Sequence, residues 1–512
     1  MQDNLPPIDR WNSNPLDVHK WSDHPEIKEL ADRLYVEIGV NLLDKAGNRK
    51  ARRTARDMLR VLLIDLYVNW LNDSSRAIGF SKNNNSYVVK SRYNQVFISP
   101  KIIKVEAFLH QNGWVDELDF YHDKTGKADS YTTRIRASQK LRDAFMGMTV
   151  DLYDIHFDVD REVIILREKF EDEDGQTKKV NLEYTDTDYT NRIREQLQSY
   201  NALIRSSFID IPSLAEPVVR RPIEKGKRKG QEAIISVGPD NKHVHRVFNG
   251  TETDNWSKGG RFYGGWWLQI PKEMRRDIYI NDKPTVEIDY KALHPNLLLN
   301  DPVNDPYDLG ELVLPELIKT LSEQRSIVKS LVLMAINATS ADKAYSAFRR
   351  ARKTNDPYKK LKNSHLQALL DAFTDKYPEL KGKLKTGQAL GLMNLDSQIA
   401  NLVIDYFTQQ GIPVLCIHDS FIIQHDKELE LKQVLHNASV QIAGKGIDQD
   451  ETSNERKIKT YVQGNIKGYE VRKPYTLSLP NKVTPTEQYN TRKSKFYKWL
   501  EHSKEEYVGS SE

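Results

Sequence analysis

Two aspartates in this chain stand where an apolar strand breaks off. Residues 284–295 read PTVEIDYKALHP. The alternation of Val286 and Ile288 delivers Asp289 to a strand end, with Tyr290 and the helix-like ALHPNLLLN directly after it. Residues 412–424, IPVLCIHDSFIIQ, have the complementary shape: two β-prone apolar runs flank His418-Asp419-Ser420, a hairpin with a carboxylate at its turn. Carboxylates seldom sit beside buried strands unless they are paired or bind a cation. Brought together by folding, Asp289 and Asp419 could hold the Mg²⁺ pair of an in-line phosphoryl transfer. Taken singly, each has a plainer alternative, a solvated strand end or a helix N-cap.

A second chemistry lies on one helix. In residues 323–338 Arg325, Lys329, Leu333 and Asn337 recur every four positions. Each step drifts by only about 40°, so the four share one broad stripe. Two cations followed by a less polar end suit a triphosphate with its base further along; the alternative is an ordinary amphipathic helix. Upstream, GGRFYGGWW sets Arg261 among aromatic residues. A cation beside rings suits a nucleic-acid strand, and a turn flanked by packing aromatics is the competing reading.

These residues need a large scaffold, and 512 residues supply two to four domains. Lys+Arg 76 against Asp+Glu 72 leaves a net charge of +4, so a polyanion site must be a local basic surface. Cys416, alone of its kind, excludes an intrachain disulfide and sits in an apolar strand as a core residue. No apolar run approaches the roughly 20 residues of a membrane span, and the polar, acidic amino terminus is unlike a secretory signal. These features imply a cytoplasmic protein with no membrane partner.

Residues 1–50 form a Pro- and Asn-rich extension, partly helical over 27–43. A helix over 51–71 carries Met58, Leu59, Leu62, Leu63, Leu66 and Trp70 on its apolar face, with Arg52, Arg53, Arg56 and Arg60 on a solvated one. Next come a helix from Ser99-Pro100 to His110, strands over 114–121 and 130–136, and a helix from Ser138. This helix–hairpin–helix resembles a winged-helix module over 51–150. The resemblance implies DNA binding through the first helix and the wing, to which Lys101, Lys104, Lys124, Lys127, Arg134 and Arg136 are suited; packing or protein contacts are the alternative use. Residues 151–240 form a connector, or a thumb, with a basic loop at 224–230.

The series Gly260-Arg261, Leu268-Gln269-Ile270-Pro271, Asp289…His294, Arg325…Lys329 and His418-Asp419-Ser420 resembles the motifs of the family A nucleic-acid polymerases. That superfamily spans bacterial and phage DNA polymerases and the single-subunit phage and mitochondrial RNA polymerases. The likeness covers roughly residues 245–425 and implies an α/β (α+β) right-hand palm with reduced fingers over 241–445, followed by a polar region over 446–512. It further implies a template-directed nucleotidyltransferase, a DNA-dependent DNA polymerase foremost, acting on a DNA template and primer with nucleoside triphosphates and Mg²⁺, or Mn²⁺ in its place. By the same likeness Asp289, Asp419 and the Tyr290 carbonyl bind the metals. Arg261 and His418 touch nucleic acid, while Arg325, Lys329, Leu333, Asn337, Tyr290 and His294 meet the nucleotide. Lys329 is the candidate proton donor to pyrophosphate. His294 occupies the place where the DNA enzymes set a bulky Glu against the 2′ carbon, which implies deoxyribose; HDSF leans towards the RNA enzymes. Asn337-Ala338 departs from the usual Tyr-Gly. The rivals are an RNA polymerase or primase-like enzyme, a template-independent one, and a non-catalytic DNA-binding replication protein.

Overall fold

The computed structural model describes residues 5–45, 53–122, 130–157, 161–171, 177–224, 228–254, 256–451, 457–458, 477–478 and 480–509. They form a mixed α/β fold gathered around three large hydrophobic cores. No helix among them is long and apolar enough to cross a membrane.

The first core runs from Ile27 to Ile155. Its centre is the helix Ala55–Asn72, started by a Thr54–Asp57 capping box and buried on most of its circumference. The arginines of this helix are not simply solvated. Arg53 and Arg60 lie over the Trp21 ring, and Arg60 and Arg56 pair with Asp23 and Asp32. Lys20 reaches the fully buried Asp65 at 2.5 Å. These contacts draw the amino-terminal segment into the core. Helix Lys101–Gln111, strands Val115–Leu118 and Thr133–Ala137, and helix Gln139–Met146 follow in the expected order. Strand Ala77–Phe80 pairs beside Thr133–Ala137 and is joined in parallel by Ser13–Pro15. Lys124 and Lys127 lie outside the described residues.

The second core spans Val163 to Ile447 and carries two sheets. Among the described residues one has six strands, all antiparallel. Leu415–Ile417, Ser420–Gln424, Lys283–Tyr290, Tyr279–Ile280 and Ile209–Asp210 lie side by side, with Gln449–Glu451 on the far end of Lys283–Tyr290. The other orders Gly259–Gly264, Val244–Asn249, Ile164–Glu171 and Thr177–Leu182. Helix Ala389–Gln409 packs its apolar face into this core. The sheet and core thus reach past residues 241–445 on both sides. The third core, Leu299 to Leu392, packs helix Leu321–Asn337 against Ala341–Ala351 and Asn363–Lys376. Helix Glu487–Gly509 docks Tyr489 and Phe496 on Phe208.

In the first core Glu106 is fully buried beside Glu117, whose carboxylate takes Lys82 at 2.6 Å. Burial and Glu117 push the Glu106 carboxyl up to about 8. An acid raised in the folded state stabilises the fold below its unfolded value, and that stability is lost as pH rises through the folded one. Urea-unfolding midpoints should therefore fall between the ordinary glutamate value of 4.5 and about 8. Glu106→Gln should remove this fall and, above pH 8, exceed the wild type by up to about 5 kcal/mol.

Candidate active site

Asp289 ends strand Lys283–Tyr290, and the ladder sets it opposite Ser420, next to Asp419. The Tyr290 N–H donates to the Asp419 carbonyl at 3.2 Å, tying the hairpin turn to the strand. His418 sits in the left-handed region at φ 60°, which closes the turn tightly between Ile417 and Ser420. Burial, the Asp419 charge and Glu287 push the Asp289 carboxyl up to about 7, while Lys272 and Lys329 act against the rise. Asp289 Oδ1 is buried and has no hydrogen-bond partner among the described residues. Glu287 accepts from Ser420 Oγ at 2.6 Å and lies 3.4 Å from Arg275. Its place two residues before Asp289, on the same strand face, was the sequence signal for it.

A repelling pair with an unsatisfied oxygen is the donor set a hard divalent cation fits. Among the described residues no three His, Cys, Asp or Glu side chains converge on one point. Two carboxylates suffice for Mg²⁺, which commonly takes one or two and completes its shell with phosphates and water. The Tyr290 ring is no part of this: its hydroxyl donates to the Leu435 carbonyl inside the core, leaving only its backbone at the site.

Helix Leu321–Asn337, begun by a Thr320–Glu323 capping box, carries the four-residue stripe, and of its members Lys329 acts on Asp289. Arg325, Lys329 and Asn337 are exposed and Leu333 half-buried, while Ile327, Val328, Leu331 and Val332 face the core. The Lys329 charge favours ionised Asp289, and its ammonium lies 5.9 Å from the Tyr307 ring. Arg325 is paired with Asp305.

Arg261 and His294 converge on Asp396, a residue the motif reading missed. Arg261 Nε lies 2.9 Å from Asp396 Oδ2, and His294 Nε2 lies 3.0 Å from the same oxygen and 3.1 Å from the guanidinium. Asn394, Asp396 and Ser397 are all buried within helix Ala389–Gln409. Beneath the turn, fully buried Arg246 donates to the Gly260 carbonyl, Asn401 and Ser397. Gly260 stands at φ +88°, where a Cβ would come within 2.6 Å of the Phe248 ring. Half-buried His418 meets the Tyr263 ring edge-on at 6.0 Å, and burial and Arg261 hold its imidazole below the usual value. Trp266 and Trp267 are core, as the packing alternative has it.

The amino-terminal cations sit on elements of the first core. Lys104 is exposed, Lys101 pairs with Asp44, and Arg136 is buried against Asp116 and the Pro6 carbonyl. Arg134 donates to the Arg10 carbonyl. No protein-family model matches the chain, and no curated protein is significantly similar to it.

The Asp289 charge destabilises the cation-free protein, because its cost is absent below the ordinary aspartate value of 3.8 and complete above about 7. In the presence of a chelator at pH 8, Asp289→Asn should raise unfolding stability by up to about 4 kcal/mol. The gain should vanish towards pH 4 in urea titrations.

Proposed function

We propose that this chain is a template-directed nucleotidyltransferase of the right-hand polymerase kind, extending a DNA 3′-hydroxyl. One observation carries the reading: Asp289 stands beside the turn that bears Asp419, its Oδ1 has no partner among the described residues, and the Lys329 charge acts on it. The order of these residues along the chain, strand, cationic helix, then HDS hairpin, is that of the family A polymerases, which the sequence resembles.

Asp289, Asp419 and the backbone at Tyr290 would hold Mg²⁺, which when bound lowers the pKa of the attacking hydroxyl and neutralises the triphosphate. Lys329 and Arg325 contribute fixed positive charge, Arg325 by leaving Asp305 for a phosphate oxygen. Lys329 carries the proton for the leaving pyrophosphate. Leu333 and Asn337 lie further along the stripe, where the base would rest. His294, held by Asp396 and Arg261, fills the space beside the sugar and favours deoxyribose. The amino-terminal helix–hairpin–helix serves as a winged helix that grips duplex DNA, with Lys104, Lys124 and Lys127 on phosphates.

Incorporation of labelled dNTPs and NTPs on primed and unprimed templates tests this. Asp289→Asn and Asp419→Asn should each lower the rate about 10³-fold or more without loss of DNA binding. Full incorporation by either variant sinks the assignment. His294→Gly should shift the ratio towards NTPs, and an unmoved ratio removes His294 from sugar choice. Separately, replacing Lys104, Lys124 and Lys127 by Ala in the full chain should reduce the log–log salt slope of duplex binding by about 0.9 for each phosphate no longer neutralised. An unchanged slope assigns this domain to protein contacts.

A further inference from the structure

Beyond the carboxylates, the sheet that carries Arg261 has an outer face lined by rings. His245 pairs directly with Tyr263 across the ladder, and His243 stands two residues before His245 on the same face. The alternate residues Val244, Arg246, Phe248 and Phe262 point into the core, so the rings are the outward half of an in–out pattern. Ring centroids lie 6.4 Å apart for His243 and His245 and 6.2 Å for His245 and Tyr263, with planes within 28° of parallel. Tyr263 then meets His418, beside Asp419. Tyr263 is 40% exposed, and both histidines are half-buried. The row therefore starts at the carboxylate site and runs outward along the surface.

Its chemistry is stacking with cations alongside. Burial and the Arg161 guanidinium hold both imidazoles far below the usual histidine value, at about 3 for His243 and about 4 for His245. At neutral pH they offer uncharged ring faces. Arg161, 3.6 Å from Asp17, and Arg167, which donates to Asn181 Oδ1, border the row, both half-buried, and a phosphate would have to share them with these partners. Uncharged rings flanked by guanidiniums suit unpaired nucleotides, whose bases are free to stack while their phosphates seek cations. A duplex keeps its bases stacked on one another at about 3.4 Å and hides their faces.

We propose that His243, His245 and Tyr263 form a stacking strip for the unpaired nucleic-acid strand that enters or leaves the Asp289–Asp419 site. The inference rests on the nucleotidyltransferase reading for the role of that site, and binding alone tests it. The probe is a fluorescein-labelled single-stranded oligodeoxythymidylate of about 12 nucleotides, followed by anisotropy without nucleotide or metal. His245→Ala should weaken binding about 10-fold, since a base–ring stack is removed. His245→Phe should restore affinity to within about threefold, because it keeps a ring face. Tyr263→Leu and Tyr263→Phe provide a second pair, read in the same way should the alanine variant unfold on heating. Equal loss in the ring-keeping and ring-removing variants, no loss in either, or an equal loss for duplex overturns the strip. Asp289→Asn should bind the oligonucleotide as the wild type does. If that protein and the wild type fail to incorporate nucleotides yet the ring variants still lose single-strand binding, the strip stands and the polymerase reading falls. Active enzyme with unaffected ring variants gives the reverse.

Discussion

Two carboxylates that repel one another are held next to each other at the end of an antiparallel ladder, and much of the second core exists to keep them there. The register from Thr285 to Asp289 against Ser420 to Gln424 fixes one side of the strand, and Gln449–Glu451 fixes the other at the same end. A one-residue slip would turn Asp289 into the core and Ile288 out of it, so the register is specified by burial as well as by hydrogen bonds. The left-handed backbone at His418 and the raised Asp289 carboxyl are both unfavourable locally. Such costs persist only where surrounding packing over-determines the geometry, and they concentrate at sites of binding and chemistry.

The second polar system works differently, because it is satisfied within itself. Arg246 spends its guanidinium on the Gly260 carbonyl and on two residues of helix Ala389–Gln409. Arg261 then leaves the turn towards Asp396 on that same helix, and His294 closes the triangle from the segment after Asp289. Three stretches far apart in sequence are thereby locked by charge-assisted hydrogen bonds in a buried setting, where an unpaired member would be costly. His294 accordingly has a fixed orientation before any ligand arrives. A residue held this way has little freedom to reorient.

Legibility followed range. Strand Lys283–Tyr290, the hairpin around Asp419 and helix Leu321–Asn337 were readable because their signals, alternation, a polar turn and four-residue spacing, are local. Cys416 as core was readable for the same reason. Asp396 was not, since polar residues in a helix look like interruptions until Arg246 and Arg261 supply partners. The strands Ile209–Asp210 and Gln449–Glu451 are too short and too polar to announce themselves, and they exist only because an edge of the sheet was open to them. The amino-terminal segment looked like an extension because its anchors, Lys20 on Asp65 and Trp21 under two arginines, are tertiary. Arg136 looked like a cation for DNA until its strand placed it against Asp116.

Asp289 and Lys329 stand on elements that bury their apolar sides in different cores. Asp289 and Asp419 rise from the second core, whereas the apolar side of the helix bearing Arg325 and Lys329 is buried in the third. The two cores are joined through helix Ala389–Gln409, whose Leu392 lies in the third and whose Ile399, Val403 and Phe407 lie in the second, and Leu297 packs against both. Carboxylates need rigid mutual placement because their repulsion grows steeply at short range, while a lysine on an exposed stripe can adjust its reach through its own side chain. The sheet edge remote from the site is closed off. Asp210 takes a bidentate pair from Arg492 of the carboxy-terminal helix, and Phe208 is covered by Tyr489 and Phe496 from the same helix. An edge strand sealed in this way cannot recruit another chain. At the carboxylate end of the ladder, Asp289 Oδ1 keeps no hydrogen-bond partner among the described residues.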